Sequence, residues 1–176
     1  MSFFESIIAW DKYFTFLLSN LIPHSFPFND FFKILAPKII TALIWALIFA
    51  FLFFSKKKKE RRSLFYSFIL SLTLAFFFSN LIFKPLFTRQ RPSKAAICPK
   101  DYSFPSGHTT FSFAASYILS FFNRKRKYLY YMIATTVGYS RIYLGCHWFL
   151  DVVAGAFLGI LISKMVLKIK FKMNLF

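Results

Sequence analysis

His147 and Asp151 stand four residues apart in Ser140-Arg141-Ile142-Tyr143-Leu144-Gly145-Cys146-His147-Trp148-Phe149-Leu150-Asp151, at the mouth of an apolar run. At the helical spacing i and i+4 an imidazole and a carboxylate share a face and can touch. A carboxylate among Trp148, Phe149, Leu150, Val152 and Val153 is costly unless it is paired. The two therefore read as a nucleophile and the group that orients it.

Two further segments carry polar groups of complementary chemistry. Lys84-Pro85-Leu86-Phe87-Thr88-Arg89-Gln90-Arg91-Pro92 brings three cations out of an apolar stretch with no acid nearby to neutralise them, which invites an anionic ligand. Alone, this segment reads equally as cations snorkelling to lipid head groups. In Tyr102-Ser103-Phe104-Pro105-Ser106-Gly107-His108-Thr109-Thr110 a Pro-Ser-Gly turn leads into another apolar stretch. Ser106 and Gly107 then lie at a helix N-terminus, where N–H groups lack intrahelical partners and the dipole favours phosphate. Gly107 lets a phosphate approach the backbone, and His108 adds a titratable group. Taken alone, Ser106 also reads as an ordinary N-cap.

Together these groups fit phosphoryl transfer. His147 would attack phosphorus as a neutral imidazole, with Asp151 fixing the tautomer through the other ring nitrogen. His108 would protonate the departing oxygen and then activate water against the phosphohistidine. Lys84, Arg91 and Arg141, with Ser106 and the Gly107 N–H, would stabilise the equatorial oxygens where other enzymes place magnesium, so no metal or other cofactor is expected. Two other readings use the same residues. His108, His147 and Asp151 form a two-histidine, one-carboxylate set suited to a divalent metal, which three nearby cations would oppose. Ser106 with His108 as base would be a second kind of nucleophile, but no Gly-x-Ser-x-Gly elbow surrounds it.

Membrane-spanning elements would have to bring the three segments together. A hydrophobic share of 57%, a mean hydropathy of +0.54 and 28 phenylalanines define an integral membrane protein. Five stretches, 31–54, 64–83, 105–122, 128–146 and 147–167, approach the roughly 20 apolar residues that a bilayer requires. Residues 1–22 differ. Ser2, Glu5, Asp11, Lys12, Thr15, Ser19 and Asn20 gather on one arc opposite Phe4, Ile7, Ile8, Phe14, Leu17, Leu18 and Leu21, which favours an interfacial amphipathic helix over a sixth span. The expected fold is an all-α membrane bundle of five transmembrane helices plus this N-terminal helix, in a single domain covering 1–176.

The formal charge of +17 would point to nucleic acid in a soluble chain, but the cations fall in short runs between apolar stretches, so no nucleic-acid partner is expected. Fourteen of the 23 Lys and Arg residues lie in runs around 56–62, 124–127 and 164–172, read as loops on the cytoplasmic side. Alternation of spans then gathers the ends of spans two and four and the starts of three and five on the outer face. Only 14 residues, Thr109 to Phe122, follow the Pro-Ser-Gly-His turn before the next basic run, which sets that turn at lipid-phosphate depth. Cys98 and Cys146 fit no metal motif, and one bridge between them is open if both face an oxidising compartment. With no basic n-region or small-residue cleavage site at the start, the N-terminus is expected to be retained.

The joint spacing is recognisable: Lys84 with six residues to Arg91-Pro92, then Pro105-Ser106-Gly107-His108, then Ser140-Arg141 with five residues to His147 and three to Asp151. It resembles the type 2 phosphatidic acid phosphatase superfamily at every motif position over residues 84–151. The resemblance implies a helical bundle with its site at the membrane surface and the residue roles given above. Only twelve residues, Ser93 to Phe104, separate the first two motifs, leaving no room for the extracytoplasmic helical cap of larger members. The chain is most similar to short bacterial members acting on the outer face of the inner membrane, which makes lipid A 1-phosphate the favoured substrate. Undecaprenyl pyrophosphate, phosphatidylglycerol phosphate and transfer to an acceptor lipid are alternatives, and a small lipid transporter is the non-enzymatic one.

Overall fold

The computed structural model describes residues 3–93 and 96–172, without the side chains of Phe3, Phe4, Phe171 and Lys172. Ser2 of the polar arc therefore lies outside the described residues, as do the side chains of Phe4 and Lys172. All regular structure among the described residues is helical. The order is α1 (Phe3–Ser19), α2 (Phe28–Ile34), α3 (Lys38–Ser55), α4 (Lys58–Phe76), a π-helical stretch (Phe77–Phe83), α5 (Lys84–Phe87), α6 (Gly107–Phe122), a 3-10 turn (Arg124–Arg126), α7 (Lys127–Tyr143) and α8 (Phe149–Lys172).

Among the described residues, three helical stretches are long and apolar enough to cross a membrane: Lys38–Ser55, Lys58–Phe87 and Phe149–Lys170. At 17, 16 and 17 residues, α1, α6 and α7 are shorter. The short α6 is the hub, packed by α8, α7, α4 and α3. Its buried face is built from small residues, among them Thr110, Ser112, Ala114, Ala115 and Ser116, which let neighbouring backbones come close. Gly155 and Gly159 of α8 complete that approach. A Cβ on Gly155 would lie 2.8 Å from the Ser106 carbonyl oxygen, and one on Gly159 would lie 2.9 Å from the Ala114 nitrogen. Toward the other end, Trp45, Leu52, Leu64, Phe68, Ile118, Leu119 and Tyr130 form the main apolar core.

Several sequence expectations are corrected. The stretch 31–54 is not one helix, because Pro37 has no N–H to continue α2 and disfavours helical geometry at Ala36. The chain restarts with Ile40 N–H donating to the Pro37 carbonyl at 3.1 Å, which frees the Ala36 carbonyl for other work. The basic residues Lys58 to Arg62 and Lys164 to Lys170 lie inside α4 and α8 rather than in loops. Beyond α4 the helix widens into a π turn one turn before Pro85, whose ring crowds the carbonyl four residues back and offers it no hydrogen. The polar arc of α1 is turned partly inward: Asp11 and Thr15 are buried, while Trp10 and Phe16 face outward.

Candidate active site

The α6 N-terminus begins at Ser106 and carries no side-chain cap. The Ser106 hydroxyl instead accepts from Thr109 Oγ1 at 2.9 Å, and its N–H donates to the Asp151 carbonyl at 3.0 Å. The glycine contacts between α6 and α8 thus place the second and third segments side by side. The first-turn N–H groups, which have no partner inside the helix, are left open beside Gly107.

His147 lies just before α8, in the bend 144–148, so its pairing with Asp151 is made by a loop against a helix start and not by successive helical turns. Its N–H donates to the Arg141 carbonyl at 3.1 Å. Arg91 Nη1 lies 2.9 Å from His147 Nε2. Arginine has only donors, so Nε2 must be the acceptor and its lone pair is free of hydrogen. The proton of a neutral ring then sits on Nδ1, which faces Asp151 Oδ2 at 3.4 Å but outside hydrogen-bond geometry, with no other acceptor.

The Asp151 carboxylate is held from two sides. Oδ2 accepts the Trp148 N–H at 2.9 Å, as in a capping box. Oδ1 accepts from Arg89 Nη1 at 2.8 Å. The other end of Arg89 is paired with Asp11 of α1, and the guanidinium lies over the Trp148 ring. Asp11 Oδ1 in turn accepts the Leu150 N–H at 2.8 Å, and Thr15 Oγ1 accepts the Phe149 N–H, also at 2.8 Å. The buried residues of α1 therefore cap α8.

Lys84 and Arg91 are not without counterions, as their sequence neighbourhood implied. Asp101 binds both, Lys84 Nζ at 2.6 Å and Arg91 Nη2 at 2.5 Å. Burial alone would raise this carboxyl, but the hydrogen bonds and charges of Lys84 and Arg91 outweigh it and hold the group at about 2. Arg91 also donates to the Asp101, Tyr102 and Cys146 carbonyls. The Cys98–Cys146 disulfide adds a covalent tie between the same two loops.

Arg141 is fully buried at 0% exposure. Its Nε donates to Ser140 Oγ and its Nη1 to the Ala36 carbonyl at 3.2 Å, and its Nη2 has no partner. No carboxylate pairs with it among the described residues. The Ala36 carbonyl also lies 3.1 Å from His108 Nε2. A carbonyl only accepts, so Nε2 carries hydrogen, and Nδ1 is the ring nitrogen left for proton exchange.

Contacts of this kind join seven of the eight residues singled out from the sequence, and Gly107 lies in the chain between two of them, Ser106 and His108. Asp11, Thr15, Arg89 and Asp101 were missed as members of the set. By sequence Arg89 reads only as one cation of its segment, and Asp11 and Thr15 only as members of the polar arc of residues 1–22. An acid inside an apolar helix was the available signal for Asp11, since such a group normally faces a partner. Among the described residues no group of three or more His, Cys, Asp or Glu could hold a metal ion, so His108, His147 and Asp151 do not converge as a ligand set.

Residues 64–174 match the PAP2 superfamily. The chain belongs to that superfamily and, with its spanning helices, is an all-helical membrane protein. It is 38% identical over 84 residues to the bacitracin transport permease protein BcrC of Bacillus licheniformis, covering 48% of this chain and 41% of that one. It is 29% identical to the lipid A 4'-phosphatase of Porphyromonas gingivalis, over 88% of this chain and 70% of the other. The chain thus spans about two fifths of the first relative's length and somewhat over two thirds of the second's. The first transmembrane PAP2 type phosphatidylglycerolphosphate phosphatase from Bacillus subtilis superposes with a TM-score of 0.66 at 26% identity, covering 97% of this chain and 89% of that chain.

Proposed function

We propose that the protein is a metal-independent lipid phosphatase that works through a phosphohistidine at the outer face of a bacterial inner membrane. The observation that carries this reading is Arg141: a fully buried guanidinium with a free Nη2 and no carboxylate partner among the described residues, sharing the Ala36 carbonyl with His108. A buried cation without a counterion is strongly unfavourable, and a phosphate seated at the open α6 N-terminus would supply the missing charge.

His147 Nε2, already stripped of hydrogen, attacks phosphorus. Asp151 holds the Nδ1 proton, and this long contact tightens on substrate binding, as catalytic hydrogen bonds commonly do. His108, held through Nε2 on Ala36, acts first as an imidazolium that donates its Nδ1 proton to the leaving oxygen, and the neutral ring then takes a proton from the water that cleaves the phosphorus–nitrogen bond. Arg91, Lys84, Arg141, Ser106 and the Gly107 N–H surround the equatorial oxygens. The outward orientation is supported by the basic helix starts and turns at the opposite end of the bundle.

Lipid A 1-phosphate is the first substrate to assay, supported by the overall resemblance and by the extent of the match to a lipid A 4'-phosphatase. Undecaprenyl pyrophosphate and phosphatidylglycerol phosphate complete the panel. Rapid quench with a radiolabelled lipid phosphate should trap acid-labile, alkali-stable label on the wild type, more of it on His108→Ala, and none on His147→Ala. Activity that disappears in chelator and returns with a divalent ion would overturn the metal-independent part. Lipid flux retained in a His147→Ala protein, with no phosphate release from the wild type, would favour a transporter.

A further inference from the structure

Beside His108 lies a cavity of about 200 Å³ between α3, the π-helical stretch and the start of α6. At about 30 Å³ per water-sized group it has room for a phosphate and a few carbons. Ala42, Phe76 and Phe111 form its apolar part, and Lys38, Thr41, Asn80 and the Gly107–His108 backbone its polar part.

Two buried polar atoms of these lining residues have no partner. Thr41 is 2% exposed and its hydroxyl makes no hydrogen bond. Asn80 spends its amide hydrogens on the Phe76 carbonyl and Ser79 Oγ, which leaves Oδ1 unpaired, 3.1 Å from where a Gly107 Cβ would be. Unsatisfied buried polar groups are rare and costly, and two in one cavity point to a polar ligand. Lys38 gives that ligand a sign. It is the first residue of α3, a helix with no acid in its first turn, where the dipole disfavours a cation. Lys38 is exposed, and no carboxylate pairs with it among the described residues.

The leaving oxygen is the one that His108 protonates, and His108 lines this cavity, so the leaving group departs beside it. An alcohol leaving from a monoester is neutral once protonated and gains little from a cation. A phosphate leaving from a diphosphate keeps its charge. We propose that Lys38, Thr41 and Asn80 form a leaving-group subsite that grips the second phosphate of a lipid diphosphate; this rests on the lipid phosphatase reading above. His147 Nε2 bonds to the terminal phosphorus as the bond from that phosphorus to the bridging oxygen breaks. The lipid monophosphate departs with the electron pair, and its oxygen is protonated by His108. Water then cleaves the phosphorus–nitrogen bond, releasing inorganic phosphate and free His147. The carrier lipid is a polyprenyl chain or the glucosamine end of lipid A, since both offer the same diphosphate.

Two matched pairs test this on full-length protein in detergent: farnesyl diphosphate against farnesyl phosphate, and lipid A 1-diphosphate against lipid A 1-phosphate. In at least one pair the wild type should prefer the diphosphate. Lys38→Met should lower its kcat/KM about tenfold more than that of the monophosphate, the size expected for losing one charged hydrogen bond. Lys38→Arg should restore most of the ratio. Thr41→Val, which keeps the side chain's shape, should shift it in the same direction by a few-fold and stands in if Lys38→Met does not fold. Equal losses on both members of each pair, no loss on either, or a wild type that cleaves only monophosphates would overturn the subsite. Residual release by His147→Ala would sink the parent reading, whereas an inactive His147→Ala beside an unchanged Lys38 ratio sinks the subsite alone.

Discussion

The starts of α6 and α8 lie against each other, joined by the Ser106 to Asp151 hydrogen bond, yet they are finished in opposite ways. The α8 end is closed: Thr15, Asp11 and Asp151 take the N–H groups of Phe149, Leu150 and Trp148. The α6 end is open, with Ser106 at the cap position making no cap. Acids at a helix N-terminus stabilise it and expel anions, whereas an uncapped N-terminus attracts them. The closed end fixes His147 and Asp151, and the open end is the place proposed above for the substrate's phosphate.

Removing the group that the closed end positions should have the largest effect. His147→Ala is expected to lower phosphate release by about four orders of magnitude or more, measured on any substrate the wild type cleaves, with the thermal unfolding temperature little changed. Next comes a substitution that makes the open end resemble the closed one. Ser106→Asp puts a carboxylate where phosphate should sit, and kcat/KM should fall by at least about a hundredfold while stability changes by no more than about 1 kcal/mol. Activity within a few-fold of wild type would mean that the α6 end does not bind phosphate.

Opening the closed end should act more mildly. Asp11→Asn weakens the Arg89 pairing and the cap, and is expected to lower kcat about tenfold with little change in KM and to cost about 1 kcal/mol in thermal unfolding. An unchanged kcat with the same stability loss would reduce Asp11 to a structural role. The smallest effect concerns Asp101, whose carboxyl is held at about 2 against an ordinary 3.8. A depressed carboxyl contributes stability that is complete above the ordinary value and lost as pH falls through the folded one. The stability difference between wild type and Asp101→Asn should therefore be constant above about pH 5, shrink below about pH 4 and vanish near about pH 2. With the side chain 39% exposed, the difference should be small.

The residues with chemistry in their types were legible in the sequence, and so was their common face, because alternate apolar stretches must reverse direction. Their partners were not. Arg89 reaches Asp11 across 78 positions and Asp151 across 62, and Leu150 reaches Asp11 across 139. Periodicity over one helix carries no information about such pairs. For the same reason the polar arc of α1 read as facing water or head groups, when part of it faces α8. The basic runs read as loops because charge was taken to end helices, yet Lys58 to Arg62 begin one.

By itself the sequence determined an apolar helical chain with two histidines, an acid, three cations and a Pro-Ser-Gly turn at the ends of apolar stretches, since hydropathy and residue chemistry are local properties. Tertiary structure decided which nitrogen of each histidine carries hydrogen, which helix end is open, and that the Ala36 carbonyl, released by Pro37, holds both His108 and Arg141. Hydrogen-bond direction and burial depend on groups brought together through space, and only the packing of α1, α3, α6 and α8 brings them there.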